Sequence, residues 1–271
     1  MYLRALALIF LALAMSGKAF ADSRPYNLEW WLDPPTFVQV DSGNQWRLNA
    51  GLGTVYAPDY FGGDMQDAEF LPLPLLDVEW RETVFVSTKR GAGVHLFRRR
   101  NIRAGFRVTP DLGRDSSVNS LLNPLEDIEA APEYGVFAEG IFGSARLHAD
   151  VRKAFSGHEG IIGTFGAAFG SRLAATTSLF VRGRLRFADE DYMVSYFGVP
   201  ASRAGPNLAA FSPEAGLLNG DIGASVVWHF YKRAYVSFDF TGGLMLGDAA
   251  DSPIVTDDLY GNFSVVLGYK F

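Results

Sequence analysis

The chain has no cysteine among its 271 residues. Its fold is therefore held without disulfides, and no thiol is present to bind a metal or attack a substrate. Long apolar runs are also missing. The single candidate, Ala5 to Met15, falls short of the roughly 20 residues a transmembrane helix needs. Basic tracts are absent except for Arg98-Arg99-Arg100, and 30 acidic residues outnumber 24 basic ones. That balance argues against nucleic acid as a partner. No repeat at solenoid period is visible, which excludes stacked-repeat folds.

What is present begins with an export signal. Arg4 precedes the apolar run, and Ala19-Phe20-Ala21 is a small-x-small cleavage site. Residues 1–21 read as a secretory signal peptide, removed from the mature protein. Losing Arg4 and Lys18 leaves 22 Lys and Arg against 30 Asp and Glu, a net of −8. Residues 22–44 are polar and aperiodic, with Trp30, Trp31 and Asp33-Pro34-Pro35. They read as a pre-barrel segment that lies in the periplasm, tucks into the lumen or adds a short strand. Residues 45–271 form the remaining unit.

That unit alternates throughout. Ile102, Ala104, Phe106 and Val108 oppose Arg103, Gly105 and Arg107. Leu179, Val181, Leu185 and Phe187 oppose Arg182, Arg184 and Arg186. Ile222, Ala224, Val226, Trp228 and Phe230 oppose Asp221, Ser225 and His229. Gly261 to Phe271 sets Phe263, Val265, Leu267, Tyr269 and Phe271 against Asn262, Ser264, Gly268 and Lys270. Period two means strands. Parity alone fits a soluble β-sandwich and a membrane barrel equally well.

Three features favour the barrel. Short connections such as Arg81-Glu82, Gly143-Ser144 and Lys232-Arg233 alternate with long ones at residues 57–68, 110–128, 188–218 and 247–259. Trp46, Trp80 and Trp228 fall near short-turn strand ends on the apolar face, as an interfacial girdle requires. The signal peptide and the terminal Phe271 agree, the latter resembling the recognition signal for the barrel insertion machinery. We therefore expect an all-β, transmembrane, antiparallel up-and-down barrel in the bacterial outer membrane. It should have about twelve strands, with ten also compatible, short periplasmic turns and long outer loops. Pro72 and Pro74 cannot donate ladder hydrogen bonds, so the second strand is expected to be bulged or irregular there.

Several loop motifs carry a resemblance. They are Tyr56-Ala-Pro-Asp-Tyr60-Phe-Gly62, Leu71-Pro-Leu-Pro-Leu-Leu-Asp77, Arg90-Gly-x-Gly-Val94, Gly113-Arg114-Asp115, Asp189-x-Asp191-Tyr192-Met193 with Tyr196-Phe197-Gly198-Val199, and Gly247 to Val255. Taken in order from about residue 45 to Phe271, the set resembles the MipA/OmpV family. The resemblance implies an outer-membrane scaffold between a murein lytic transglycosylase and a murein synthase, and it brings no catalytic residues.

The residues themselves frame three possibilities. A scaffold would need periplasmic surface, for which Trp30, Trp31, Arg98, Arg99 and Arg100 are the contact candidates. The same Trp pair also suits interfacial rings, and the Arg triplet a solvated turn near anionic headgroups. A narrow channel for small charged solutes would use the lumen. There parity places Arg47, Arg103, Arg107, Arg146, Arg152, Arg182, Arg184 and Arg186, with Asp77, Glu79, Glu133, Glu139, Asp150, Asp221 and Asp239. Such a lumen either zips up by ion pairs or stays open, with Arg182, Arg184 and Arg186 as a selectivity ladder. An enzyme would need a triad, and a three-residue turn after Tyr231 would set His229 opposite Ser237, with Asp239 on the same face. Chance placement of polar lumen residues explains that trio as well, so no enzyme, cofactor or metal is expected. Loop acids Asp189 and Asp191 read as rim packing.

Overall fold

A computed structural model of the protein describes residues 45–271. Residues 1–21 and 22–44, including Trp30 and Trp31, lie outside the described residues.

Twelve antiparallel strands close into one barrel. They are β1 (Trp46–Ala57), β2 (Glu69–Trp80), β3 (Val84–Ser87), β4 (Gly91–Arg99), β5 (Ile102–Asp111), β6 (Ala131–Phe142), β7 (Ala145–Ala154), β8 (Ile161–Ala174), β9 (Thr177–Ala188), β10 (Gly216–Trp228), β11 (Ala234–Met245) and β12 (Leu259–Lys270). Each pairs with its sequence neighbour. Closure is made by β1 on β12, from Asn49 opposite Lys270 to Tyr56 opposite Phe263. A twelve-residue strand at about 3.3 Å per residue, tilted by roughly 40°, rises about 30 Å, enough for the apolar band of an outer membrane.

The faces are inverted relative to a soluble protein. Ile222 is 69 % exposed while its neighbour Asp221 is 5 % exposed. Leu52, Phe240 and Leu267 are likewise exposed, and Arg107, Arg184 and Asp239 are buried. The hydrophobic effect tolerates an exterior of this kind only in lipid. At the short-turn end, Trp46 and Trp80 stand opposite each other with ring centroids 6.2 Å apart, and Trp228 lies 5.8 Å from Phe230. Tyr269 and Phe271 join the same exposed belt at 4.9 Å. These rings form the expected interfacial girdle.

Four details differ from the expectation. First, β2 is not bulged at its prolines, since its register with β1 runs unbroken from Trp46–Trp80 to Ala57–Glu69. The Leu76 N–H points to Thr88 Oγ1, on the β3 side. Pro74 and Pro72 share its parity and so face that same side. There β3 ends at Ser87 opposite Asp77, and among the described residues no strand pairs with the outer half of β2. The prolines occupy an edge where no donor is needed. Second, β10 begins at Gly216, with a register shift between Leu217 and Asn219. Third, β4 continues to Arg99, so Arg98 and Arg99 lie on a strand and Arg100 alone of the triplet is in the turn. Fourth, the connection at Glu190–Phe197 is a helix, α1, and a second short helix, α2, covers Gly247–Ala250.

α1 has a clear local cause. The Asp189 side chain accepts from the Tyr192 N–H at 3.0 Å as N-cap, Glu190 and Asp191 favour the positive end of the helix dipole, and Gly198 follows the last turn. Its buried face is Tyr192, Met193, Tyr196 and Phe197. These pack with Phe61, Ile162, Leu218, Met245 and Tyr260 at the outer end of the barrel. Tyr60, Leu122, Leu125, Val199, Leu208 and Ile254, drawn from four loops, make a second apolar cluster. The long loops therefore fold inward as a cap.

Candidate functional site

The lumen wall below the cap is charged, and most of its charges are paired. On β5 to β7 the pairs run as one chain. Arg146 Nη2 meets Glu139 at 2.7 Å, and His148 lies between Glu139 at 3.5 Å and Asp150 at 2.8 Å. Asp150 also takes Arg107 at 2.9 Å and Arg152 at 2.9 Å, and Arg152 reaches Glu133 at 3.2 Å. On β9 to β11, Arg184 holds Asp221 through Nε at 2.8 Å and Nη2 at 2.6 Å. Arg182 reaches Asp239 at 3.3 Å, Ser225 at 2.7 Å and Thr241 at 2.8 Å, while Ser225 donates to Asp239. Gly223 leaves the space this crossing needs, because a Cβ there would lie 2.7 Å from Arg182 Cζ.

Arg107, Arg152, Arg182, Arg184, Arg186, Asp221 and Asp239 are buried on the inner face, and Arg103 and Arg146 are half-buried there. Pairing between strands followed from register, which parity does not contain. Arg103 differs in depth, sitting near the periplasmic mouth 3.8 Å from Glu82. Not all of the interior is charged. Val55, Leu73, Leu75, Phe180, Val227, Tyr235 and Val266 form an apolar sector against the charged one.

The His229, Ser237 and Asp239 trio that an enzyme would need does not form. The β10–β11 register sets Val227 opposite Ser237 and Ser225 opposite Asp239, two residues away from the register a triad requires. His229 stacks instead near Tyr235, 5.6 Å between ring centres, and Asp239 is taken by Arg182 and Ser225. A longer turn, residues 229–233, causes the slip.

One cluster the sequence did not suggest is Asp111, Glu133 and His158, whose ligand-type atoms lie within 4.8 Å of one another. The donor set does not suit a divalent ion. The Gly160 N–H donates to His158 Nδ1 at 3.0 Å, so the proton sits on Nε2, which faces Glu133 at 3.3 Å. A metal would need that Nε2 lone pair. The cluster works instead as a latch on α1. Tyr196 Oη donates to Asp111 at 2.5 Å, Ser195 Oγ donates to the His158 carbonyl at 3.1 Å, and Arg114 Nη1 donates to the Tyr196 carbonyl at 2.6 Å. Burial raises the Tyr196 phenol well above its ordinary value, keeping it a proton donor here.

The cap carries two titrating carboxylates of opposite sense. Burial raises the Asp59 carboxyl above its ordinary 3.8, with Asp67 adding to the effect and Asn119 opposing it at 3.1 Å. Ser116 holds Asp127 below its ordinary value by donating both its hydroxyl, at 2.6 Å, and its N–H, at 2.8 Å.

The periplasmic rim is built around a strained turn. Arg81 and Glu82 both adopt left-handed φ, 50° and 52°, although neither is glycine. They are the central pair of a turn closed by the Thr83 N–H on the Trp80 carbonyl at 2.9 Å, in a three-residue hairpin loop, and two successive positive φ values normally select Asn-Gly. Gln45 Oε1 accepts from Arg81 Nη2 at 3.1 Å, Arg98 Nη1 donates to the Arg81 carbonyl at 2.9 Å, and His95 Nδ1 lies 3.0 Å from the Glu82 carbonyl. The Glu82 carboxylate lies 3.6 to 3.8 Å from Arg98, Arg47 and Arg103. Glu82 is the rim residue that sequence reasoning missed. A charged, non-glycine pair at the tight turn between β2 and β3 was its only signal.

A closed barrel with a lipid-facing exterior, a paired interior and an aromatic girdle defines an outer-membrane β-barrel protein. Among solved structures, it is similar to the outer-membrane channel DcaP of Acinetobacter baumannii at 6 % identity, covering 83 % of this chain and 96 % of that one, with a TM-score of 0.41. An anion-selective porin from Comamonas acidovorans gives 8 % identity, 83 % and 98 % coverage and a TM-score of 0.36. OmpT of Vibrio cholerae, as a loop L8 deletion mutant, gives 10 %, 83 %, 98 % and 0.35. No curated protein sequence matches the chain. The family model for the MltA-interacting protein MipA matches residues 50–271, and the chain belongs to that family.

Proposed function

We propose that this protein is a non-catalytic scaffold of the outer membrane that docks a periplasmic murein lytic transglycosylase, and with it a murein synthase, at its short-turn rim. The observation that carries the reading is the match to the MltA-interacting protein family across residues 50–271. Two structural features support it. The inner acids Glu133, Glu139, Asp150, Asp221 and Asp239 are all engaged by arginine, which suits an anchor better than a conduit. The rim holds two strained residues, Arg81 and Glu82, at a cost of about 1–3 kcal/mol each. Strain of that size persists where the surroundings fix it, and it presents a rigid polar surface beside Arg98, Arg99 and Arg100.

The test is retention of murein enzymes from detergent-extracted envelope on the immobilised mature protein. Wild type should retain a lytic transglycosylase and a synthase. Replacing Arg98, Arg99 and Arg100 together with alanine should reduce retention about tenfold, a loss of about 1.4 kcal/mol. Loss with Trp30→Ala/Trp31→Ala alone would move the contact to the pre-barrel segment. Retention of neither enzyme by wild type would end the scaffold reading.

A further inference from the structure

Arg186 lies on β9 beneath α1 and is 4 % exposed. Its Nε and Nη2 have no hydrogen-bond partner among the described residues. The register sets Thr164 of β8 and Asn219 of β10 directly opposite it, one on each side. Thr164 Oγ1 and Asn219 Oδ1 are buried without partners too. Four unpartnered polar atoms therefore share one level of the wall.

The charges of the surrounding sector do not balance. The β9–β11 sector carries three guanidinium groups, Arg182, Arg184 and Arg186, against two carboxylates, Asp221 and Asp239. Asp239 is taken by Arg182 and Asp221 by two nitrogens of Arg184. Asp221 is the carboxylate that acts on Arg186 electrostatically; its Oδ2 is held by Arg184 and its Oδ1 has no hydrogen-bond partner among the described residues, so the sector still carries one guanidinium more than it has carboxylates. Arginine does not shed its proton, and a buried charge without a counter-charge is among the costliest features a fold can hold. Water would satisfy the donors but not the charge.

We propose that Arg186 is a binding site for a small monovalent inorganic anion of chloride size. The anion accepts from Arg186 Nε–H and Nη2–H and from the Thr164 hydroxyl, between β8, β9 and β10. Half a turn of the Asn219 amide lets its oxygen accept from Tyr260, with which it already pairs, and turns its NH2 toward the same point. Enclosure under Tyr192 and Tyr260 excludes bulky anions. This inference stands apart from the scaffold reading and can fail without it.

The experiment compares thermal unfolding of the detergent-folded mature protein in chloride and in gluconate at equal ionic strength. Chloride should raise the midpoint by about 2–4 °C at saturating concentration. Arg186→Met should abolish the difference, and Thr164→Val should weaken chloride binding several-fold. Crystals grown in bromide should give an anomalous peak within hydrogen-bond distance of Arg186. Equal midpoints in the two salts overturn the proposal. So does a chloride effect that persists in Arg186→Met, or a water in place of bromide. If Arg186→Met does not fold, the bromide map and Thr164→Val decide.

Discussion

Single residues differ in worth according to how dry their partners are. Asp150 is fully buried and meets Arg107, Arg152 and His148 at once. Asp150→Asn leaves two buried guanidinium groups facing an amide, and should destabilise the barrel by roughly 3–5 kcal/mol. Arg203 pairs with Glu126 at 2.8 Å in the open, with side chains 47 % and 83 % exposed. Arg203→Ala should cost about 0–1 kcal/mol. Urea unfolding of the detergent-folded protein measures both, and similar midpoints for the two variants would refute the paired-lumen account. The inward position of these arginines was legible from alternation alone. That Asp150 is shared by three partners was not, because Arg107 reaches it across β6.

At the level of elements, the cap is the part most open to perturbation. Tyr196→Phe removes the donor to Asp111 and should loosen α1 by about 1–3 kcal/mol. Faster cleavage of segment 189–215 by protease added to whole folded barrels is the readout, and an unchanged rate would remove Tyr196 from the latch. The cap should also respond to pH. The Asp59 carboxyl is raised, so the folded chain holds its proton more tightly than the unfolded chain does. Its contribution is full below about pH 4 and is lost as pH rises through the folded-state value. Asp127 is lowered, and its contribution is present above about pH 4 and lost as pH falls through its reduced value. The cap should therefore resist protease better near pH 4 than at pH 7, and Asp59→Asn should keep the pH 4 rate at both. A pH difference that survives in Asp59→Asn would assign it elsewhere. The helix itself was readable from Asp189 as cap, two acids in the first turn and Gly198 after the last. The surrounding Gly-, Pro- and Tyr-rich pattern reads instead as loop.

For the molecule as a whole, the paired lumen and the folded cap predict little ion flow. In planar bilayers the mature protein should carry a small current. Shortening segment 189–215 should not raise it, because the ion pairs of β5–β11 lie below the cap. Shortening it together with alanine at Arg182, Arg184 and Asp239 should. A large conductance in the unmodified protein would overturn the closed interior and favour a channel.

The sequence by itself determined the barrel, which of its ends carries the long loops and the sign of each face, because period-two alternation and loop length are local properties of the chain. It left ten strands open beside twelve, and closure into twelve came from the structure. The sequence also placed the girdle, since Trp46, Trp80 and Trp228 sit at strand ends in any register. Only the tertiary structure decided which charges meet, that Pro72 and Pro74 lie on an unpaired edge, that Glu82 stands in a strained turn, and that Arg186 has no hydrogen-bonded carboxylate. Each of these depends on the stagger between neighbouring strands. A slip of two residues, as at His229 and Ser237, preserves every alternation while replacing every partner.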